Sequence, residues 1–465
     1  MEPRPLSFIV AACGGELVGG PGAMVVQRVC TDSRIIQKGD LFVALKGSHF
    51  DGHNFLEDVV KKGAAALLVE RSGPRGSPSI VVKDARRALG LLAARYRSGF
   101  VLPVTAVAGS NGKTTTKDLV ASVLSQQFRT LSSEASFNND IGVPMTLLKL
   151  NNAHQAAVLE AGTNHPGELE PLLRLIRPRF GLMTSIGREH LEFFGDLAGV
   201  AREEGFLAEA LPREGKLFIN GDSEFTDKIA KRTDAEVVRL GFGPANDWRI
   251  TKVSSDEKGT PFHVECSYQE FCADYRINLL GHHQAGNALF AIAMGAEMGM
   301  ERAQIERGLA ECQPAKLRMQ IWEHDGVRVL DDSYNANADS MLAALRTLEE
   351  LPCKGRRVAV LGDMAELGVE SEASHLEIGR RTAELGIAQL FAVGKMAGVI
   401  ARGAREAGLN RIFEFADVAT AGSALKSFLK SGDVVLLKAS RAMGLERIGQ
   451  ILKSSEASTG QFSQQ

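Results

Sequence analysis

At 465 residues the chain is too long for one ordinary core, and length alone points to about three domains. Its composition, 44 % hydrophobic and 24 % charged with 6 % aromatic, is that of a soluble globular protein and excludes a fibrous or disordered one. With 54 Lys and Arg against 56 Asp and Glu, the net charge of −2 gives no field to attract nucleic acid or an anionic membrane, and neither is expected as a partner.

The amino-terminal stretch Leu6–Cys13 resembles a lipoprotein signal only superficially. Its apolar core is short and the preceding charges, Glu2 and Arg4, cancel, so a buried first strand or helix is expected instead. No run approaches the roughly 18–20 apolar residues of a membrane span, so no integral membrane segment is expected. The cysteines at 13, 30, 266, 272, 312 and 353 form no CxxC pair. They read as reduced thiols of a cytoplasmic enzyme, neither a disulfide frame nor a zinc site.

Residues 1 to about 100 are Gly-rich, with short strand-like runs at Leu41–Leu45 and Ala65–Val69 and a helical pattern from Asp84 to Tyr96. From about 101 to 312, strand-like runs (Val104–Ala108, Ala156–Leu159, Gly181–Ile186, Lys216–Ile219) alternate with helical stretches, which favours a parallel sheet covered by helices. Residues 245–280 alternate apolar and polar side chains, as a small antiparallel patch would. The alternation restarts from about 313 (Val327–Leu330, Val358–Leu361, Leu390–Val393, Val434–Leu437), predicting a second doubly wound unit. The expected divisions are 1–100, 101–312 and 313–453, with a polar tail, 454–465, that frays.

The sharpest local signal is Gly109-Ser110-Asn111-Gly112-Lys113-Thr114-Thr115, between a strand-like run and a helix-like stretch from Thr116 to Gln126. Glycines let such a loop turn tightly and aim N–H groups at phosphate oxygens, while the helix N-terminus adds partial positive charge. Lys113 is placed to reach the β- and γ-phosphates of a nucleotide, and the Thr114 hydroxyl to bind Mg2+. The spacing departs from the usual phosphate loop, with Val107 where its first glycine would stand. Glu160 ends the run Ala156–Leu159, a strand-end position suited to holding a metal ion beside a phosphate loop. A lone histidine is more often structural than a ligand, but His190, just past the Gly181–Ile186 run, would share one sheet edge with Glu160 and Thr114.

Taken together these residues resemble the Mur ligase family, over nearly the whole chain. The resemblance runs through Thr31-Asp32-Ser33-Arg34, Gly39–Gly47, Gly109–Thr115, Asn138–Pro144, Glu160 and His190. Its most specific stretches are Asp331-Asp332-Ser333-Tyr334-Asn335-Ala336-Asn337 and Leu361–Gly368. It implies three α/β domains: a small one for a UDP-linked substrate, a central P-loop ATPase with a mostly parallel sheet, and a Rossmann-like last domain that closes over ATP. The implied activity is ATP- and Mg2+-dependent amide synthesis through an acyl phosphate, joining D-alanyl-D-alanine to a UDP-N-acetylmuramoyl tripeptide in the cytoplasm, by a monomer. Residue by residue, the resemblance implies substrate contacts at Ser33, Arg34, Lys46, Asn138, Asn139, Lys438 and Ser440. It implies nucleotide contacts at Gly109–Thr115, Asn287, Asp331 and Asn335, and a phosphate-steadying role for Arg318. Lys113, Glu160 and His190 would form the catalytic centre, with Thr114, Glu160 and His190 as metal ligands.

The chain departs from the family where a CO2-modified lysine, about fourteen residues after the histidine, helps hold a second Mg2+. Here Glu204 takes that place, in Arg202-Glu203-Glu204-Gly205-Phe206. Glu204 already carries a carboxylate but reaches roughly 3–4 Å less far. It either replaces the carbamate, through a water or a shifted backbone, or belongs with Glu203 to a solvated helix face. Gln284 stands for an asparagine, Ala439 for a glycine and Ala338 for a proline. Two other readings stay open at this point: a related ligase adding another amino acid or dipeptide, and a degenerate nucleotide-binding relative without catalysis.

Overall fold

A computed structural model describes residues 1–48 and 50–454; the expected frayed tail, from 455 on, lies outside the described residues. Helix α1 (Leu6–Cys13) opens the chain and buries Leu6, Ile9 and Cys13, the spacing of one helix face. Strands β1 (Glu16–Val18), β2 (Arg28–Cys30), β3 (Asp40–Val43), β4 (Ala66–Val69) and β5 (Ser79–Val81) form a sheet in the order β1-β5-β4-β3-β2, parallel except at β1. Helix α2 (Ala85–Arg97) follows, capped by the Asp84 carboxylate, which accepts the Arg87 N–H.

The apolar face of α2 does not stop at this first sheet. Leu89, Leu92, Ala93 and Tyr96 share one core with Leu169, Leu172 and Leu173 of the next unit, and the Tyr96 hydroxyl donates to the Leu150 carbonyl at 2.7 Å. Each fully buried side chain of this kind contributes about 1.5–3 kcal/mol. The exposed pair Arg86–Asp140, 3.3 Å across the same junction, contributes about 1 kcal/mol at most. The first unit is therefore seated by apolar contact.

The central sheet comprises β6 (Val104–Ala108), β7 (Thr130–Ser132), β8 (Ala156–Glu160), β9 (Phe180–Met183), β10 (Lys216–Asn220), β11 (Glu236–Gly241), β12 (Trp248–Thr251), β13 (Thr260–Cys266) and β14 (Asp274–Ile277). Their order is β14-β13-β12-β11-β10-β9-β6-β8-β7. It is parallel up to β12, and β13 and β14 fold back antiparallel where the alternation over 245–280 places such a patch. Val107, Val158, Leu182 and Phe218 face one core, with Leu119 and Val123 of α3 (Lys113–Leu124); Ala106, Leu159 and Met183 face the other. Further helices bearing on the site are α4 (Gly142–Leu147), α5 (Leu169–Ile176), α6 (Leu197–Glu204) and α7 (His282–Glu297).

Two boundaries beside the phosphate loop differ from expectation. Helix α3 starts at Lys113, because Gly112 sits at φ 83° and the helix begins as soon as the loop has turned. The run Gly181–Ile186 stays in the sheet only to Met183, because the next residues turn to the phosphate loop: the Ser185 carbonyl accepts the Ser110 N–H at 2.8 Å.

The last sheet comprises β15 (Gln320–His324), β16 (Val327–Asp331), β17 (Arg357–Gly362), β18 (Gln389–Val393), β19 (Ile412–Phe415) and β20 (Val434–Lys438). Their order is β15-β16-β20-β17-β18-β19, parallel except at β15. Helices α8 (Ala338–Glu350) and α9 (Ser371–Glu384) belong to this unit. Among the described residues no helix is long and apolar enough to cross a membrane. The cysteines of the described residues are free.

Candidate active site

Strand β6 lies between β8 and β9, so the chain order reverses there and a crevice opens at the carboxyl ends of these three strands. It widens into a cavity of about 1300 Å³ bordered by all three units of the chain. Ser110, Asn111, Gly112, Lys113, Thr114 and Thr115 form its floor. Two of the loop's glycines are required by packing. A Cβ on Gly109, at φ 116°, would lie 2.6 Å from Thr184 Oγ1; one on Gly112 would lie 2.3 Å from Asn287 Oδ1.

Lys113, Glu160 and His190 all border this one cavity. The Lys113 ammonium folds back on the loop, donating to the carbonyls of Gly109 and Ser110, and pairs with Glu189 Oε2 at 3.3 Å. Burial opposes its charge, but Glu189, Glu204 and Glu160 outweigh that and hold its pKa above the usual lysine value. Asn138 fixes Glu160 by donating to its Oε1 at 2.8 Å. Asn139 also borders the cavity, with its side chain accepting the N–H groups of Ile141 and Gly142 at the start of α4. Thr114 Oγ1, Glu160 Oε2, Glu189 Oε1 and Glu204 Oε1 are buried with no hydrogen-bond partner, although buried polar atoms are nearly always satisfied.

Glu204 is neither on a solvated helix face nor on the cavity wall. It is 1 % exposed, tucked under the loop, and its Oε2 accepts the Gly109 N–H at 2.7 Å. The shorter glutamate ends beneath the loop instead of passing it. Glu203 is buried too, accepting the N–H groups of Gly167 and Leu169 at 2.8 and 2.9 Å by the start of α5. Glu189, the neighbour of His190 that no local motif singles out, borders the cavity where Glu204 does not. Burial, with Glu204 adding to it, pushes the Glu189 carboxyl up to about 8. Burial raises Glu204 as well.

The last unit closes the opposite wall. His190 Nδ1 lies 2.5 Å from Glu366 Oε2, Asn337 donates to Asn111 Oδ1 at 2.9 Å, and Arg188 reaches Asp339 at 2.8 Å and Glu377 at 2.6 Å. Arg318 borders the cavity over the ring of Tyr334, 4.2 Å from its centroid, and both flanking residues, Leu317 and Met319, have positive φ. The Tyr334 hydroxyl bonds Ser136 of the central unit. Lys438 pairs with Asp332 and donates to the Asn335 carbonyl at 3.0 Å; Ser440 Oγ accepts the Ala365 N–H at 2.6 Å. Asn335, Lys438 and Ser440 border the cavity.

Asp331, expected as a nucleotide contact, does not border the cavity. As the last residue of β16 it is 5 % exposed and accepts the Ser333 hydroxyl at 2.6 Å, while Asp332, one residue on, points to the cavity. Neither do Ser33, Arg34 and Lys46 border it. They lie on the first unit, where Arg34 is exposed against Asp32 and Lys46 bridges Asp51. The first unit's residues on the cavity are Asp84, Arg86, Arg87, Gly90 and Leu91, along the first turns of α2. Ala439 is not among the residues with positive φ, so the substitution for glycine carries no backbone strain.

At the far end Asn287 accepts from Thr116 Oγ1 at 3.3 Å and donates to Gln284 at 2.8 Å, so Gln284 keeps an amide contact. His283 also borders the cavity, and its pKa is down to about 4 because burial disfavours the charged ring; Asp332 opposes this, while Lys438 and His282 add to it. The unfolded histidine takes its proton near pH 6.5 and the folded one only near 4. The unfolded chain therefore binds more protons across that window, and stability falls as pH drops from about 6.5 to 4. Urea unfolding midpoints measured from pH 7 to 4.5 are expected to fall less steeply in His283→Gln than in the native chain.

Residues 25–97, 107–295 and 317–441 match, in that order, the Mur ligase family catalytic domain, the Mur ligase middle domain, and the Mur ligase glutamate ligase domain. The chain is 38 % identical to the UDP-N-acetylmuramoyl-tripeptide–D-alanyl-D-alanine ligase of Escherichia coli (strain K12), covering 97 % of this chain and 98 % of that one. To the enzyme of the same name from Bacillus subtilis (strain 168) it is 35 % identical, over 93 % and 94 %. A crystal structure of MurF from Acinetobacter baumannii superposes with a TM-score of 0.89 at 31 % identity, covering 97 % of this chain and 99 % of that one.

Proposed function

The chain belongs to the Mur ligase family, and from that premise we propose that its cavity joins D-alanyl-D-alanine to a UDP-N-acetylmuramoyl tripeptide by ATP-driven amide synthesis. The tripeptide's terminal carboxylate attacks the γ-phosphate, giving an acyl phosphate and ADP. The amine of the dipeptide then attacks the acyl carbon, loses its proton and expels phosphate. No side chain serves as nucleophile, since the substrates supply both.

The difficulty is that two anions must meet, and this chain's residues address it by charge and position. The loop N–H groups and Lys113 bind and neutralise the phosphates. Asn138 orients Glu160. Arg318, held by the strained turn and the Tyr334 ring, steadies the transferring phosphoryl group. Asn287 serves the adenine end, and Asn139, Asn335, Lys438 and Ser440 line the path of the peptide and nucleotide. Ser33, Arg34 and Lys46 hold the UDP-sugar end on the first unit, away from the reacting centre. The contacts of Arg188 and Asn337 dock the last unit on the loop and exclude water, which would otherwise hydrolyse the acyl phosphate.

Mg2+ fits this donor set. Among the described residues no group of three or more His, Cys, Asp or Glu could hold a metal ion unaided. The unpartnered oxygens of Thr114 and Glu160 suit a cation whose remaining ligands come from the nucleotide, with His190 at the same wall. When bound, Mg2+ supplies charge neutralisation between phosphate and carboxylate. The protein acts as a cytoplasmic monomer, dividing functionally at about residues 100 and 312.

The observation carrying this reading is that the phosphate loop, Glu160 and His190 share one cavity with the last unit. Phosphate release by the purified protein is expected to require ATP, the UDP-muramoyl tripeptide and D-alanyl-D-alanine together. Equal release with single amino acids in place of the dipeptide would favour a ligase of other specificity, and no release with any acceptor a non-catalytic relative.

A further inference from the structure

The cavity has a corner that the reaction above leaves unused, where α2 of the first unit meets α5 of the central one. A Cβ on Gly90 would lie 3.7 Å from Leu175 Cδ1, so the two helices stand close there. Leu91, 41 % exposed, borders the cavity together with Pro171 and Leu175 and gives the corner apolar surface. Arg87 lies four residues before Leu91, on the same face of α2, and borders the cavity too. Among the described residues its guanidinium makes no hydrogen bond or ion pair, while the neighbouring Arg86 pairs with Asp140 at 3.3 Å. The acids nearby are committed: Asp84 accepts the Arg87 N–H as the helix cap, and Asp140 holds Arg86. The corner thus offers one unmatched cation beside an apolar strip. It is also near the reacting centre. Asp140 stands two residues from Asn138, which donates to Glu160, and two residues of chain span at most about 7 Å.

We propose that Arg87, assisted by Arg86, selects the third residue of the peptide by taking the carboxylate at the far end of its side chain, with the methylenes of that side chain on Leu91. The peptide accepted then ends in a diamino diacid and not in lysine. Such a residue sets its two carboxyl carbons roughly 7–8 Å apart when extended, the same scale as the step from Glu160's loop to Arg86. One carboxylate is therefore at the phosphate loop while the other is at α2. A guanidinium receives a carboxylate through two parallel N–H donors, which fixes direction as well as charge. Lysine brings an ammonium in its place. That leaves Arg87 unmatched and sets like charge against it, so one residue both favours the diacid and disfavours its competitor.

This inference rests on the ligase reading, and its test separates the two. Binding of UDP-muramoyl tripeptides ending in 2,6-diaminopimelate or in L-lysine is measured by titration calorimetry, with a non-hydrolysable ATP analogue present and no turnover. The native chain is expected to bind the diaminopimelate peptide about fivefold more tightly. Arg87→Gln is expected to lose that preference by weakening the diaminopimelate peptide alone, with the lysine peptide and the analogue changed by less than about twofold. Arg87→Lys, which keeps the charge without the paired donors, is expected to recover it in part. Unchanged affinity for the lysine peptide shows that the variant is folded. Equal affinity of the native chain for both peptides overturns the proposal, as does an unchanged preference in Arg87→Gln. Equal weakening of both peptides also overturns it, because that marks a carboxylate the two share, the one on the second residue. Absence of dipeptide-dependent phosphate release by the native chain with either peptide counts instead against the ligase reading, whatever the affinities.

Discussion

Lys113→Met is expected to lower the rate of phosphate release by about 10²–10³-fold at saturating substrates. Among the described residues the ammonium is the only basic group bonded to the loop's own carbonyls, and it stands where charge accumulates as the γ-phosphoryl group moves. Its pKa is held above the ordinary lysine value, so it keeps its proton across any practical assay range. Methionine preserves the stem's volume and removes the charge alone. Glu160, Glu189 and Glu204 then face one another without it, so the variant is also expected to bind ATP analogues more weakly unless Mg2+ is raised. A rate within about threefold of the native chain, measured on folded protein, would remove Lys113 from the mechanism.

Lys117→Met is expected to cost the central unit about 2–4 kcal/mol, read as a lower urea midpoint. Lys117 lies one turn beyond Lys113 on α3 and is 1 % exposed. Its ammonium pairs with Asp118 at 2.6 Å and donates to the carbonyls of Ser133 and Ala135 at 2.7 and 3.1 Å. Removing it takes the donor from two carbonyls at once, leaves the part-exposed Asp118 to water, and releases Ala135 from a backbone held at φ 45°. The Ser133 hydroxyl accepts the Glu160 N–H at 3.2 Å, so the damage extends to the catalytic floor. Activity should therefore fall together with stability, whereas Lys113→Met should lose far more activity than stability.

These two lysines mark how far linear reading goes. Lys113 announces itself, because glycines, a lysine and a hydroxyl in one short loop have few other uses. Lys117, in the sequence Thr116-Lys117-Asp118, looks like any solvated helix position; burial alone reveals it. The same holds for Asp331 and Asp332. Side chains alternate along a strand, so adjacent acids point opposite ways, and which one meets the cavity depends on where β16 ends against its neighbours.

Local patterns in the chain were enough for the three α/β units, the phosphate loop, the acid at the end of β8 and the family, since strand runs, glycine spacing and short motifs are encoded over a few residues. Tertiary packing alone decided that Glu204 lies beneath the loop while Glu189 borders the cavity, that Arg188 and Asn337 join the last unit to the central one, and that α2 brings Arg86 and Arg87 to the cavity. Those outcomes depend on side-chain reach and on which strand ends converge, and both are set by elements tens to hundreds of residues apart.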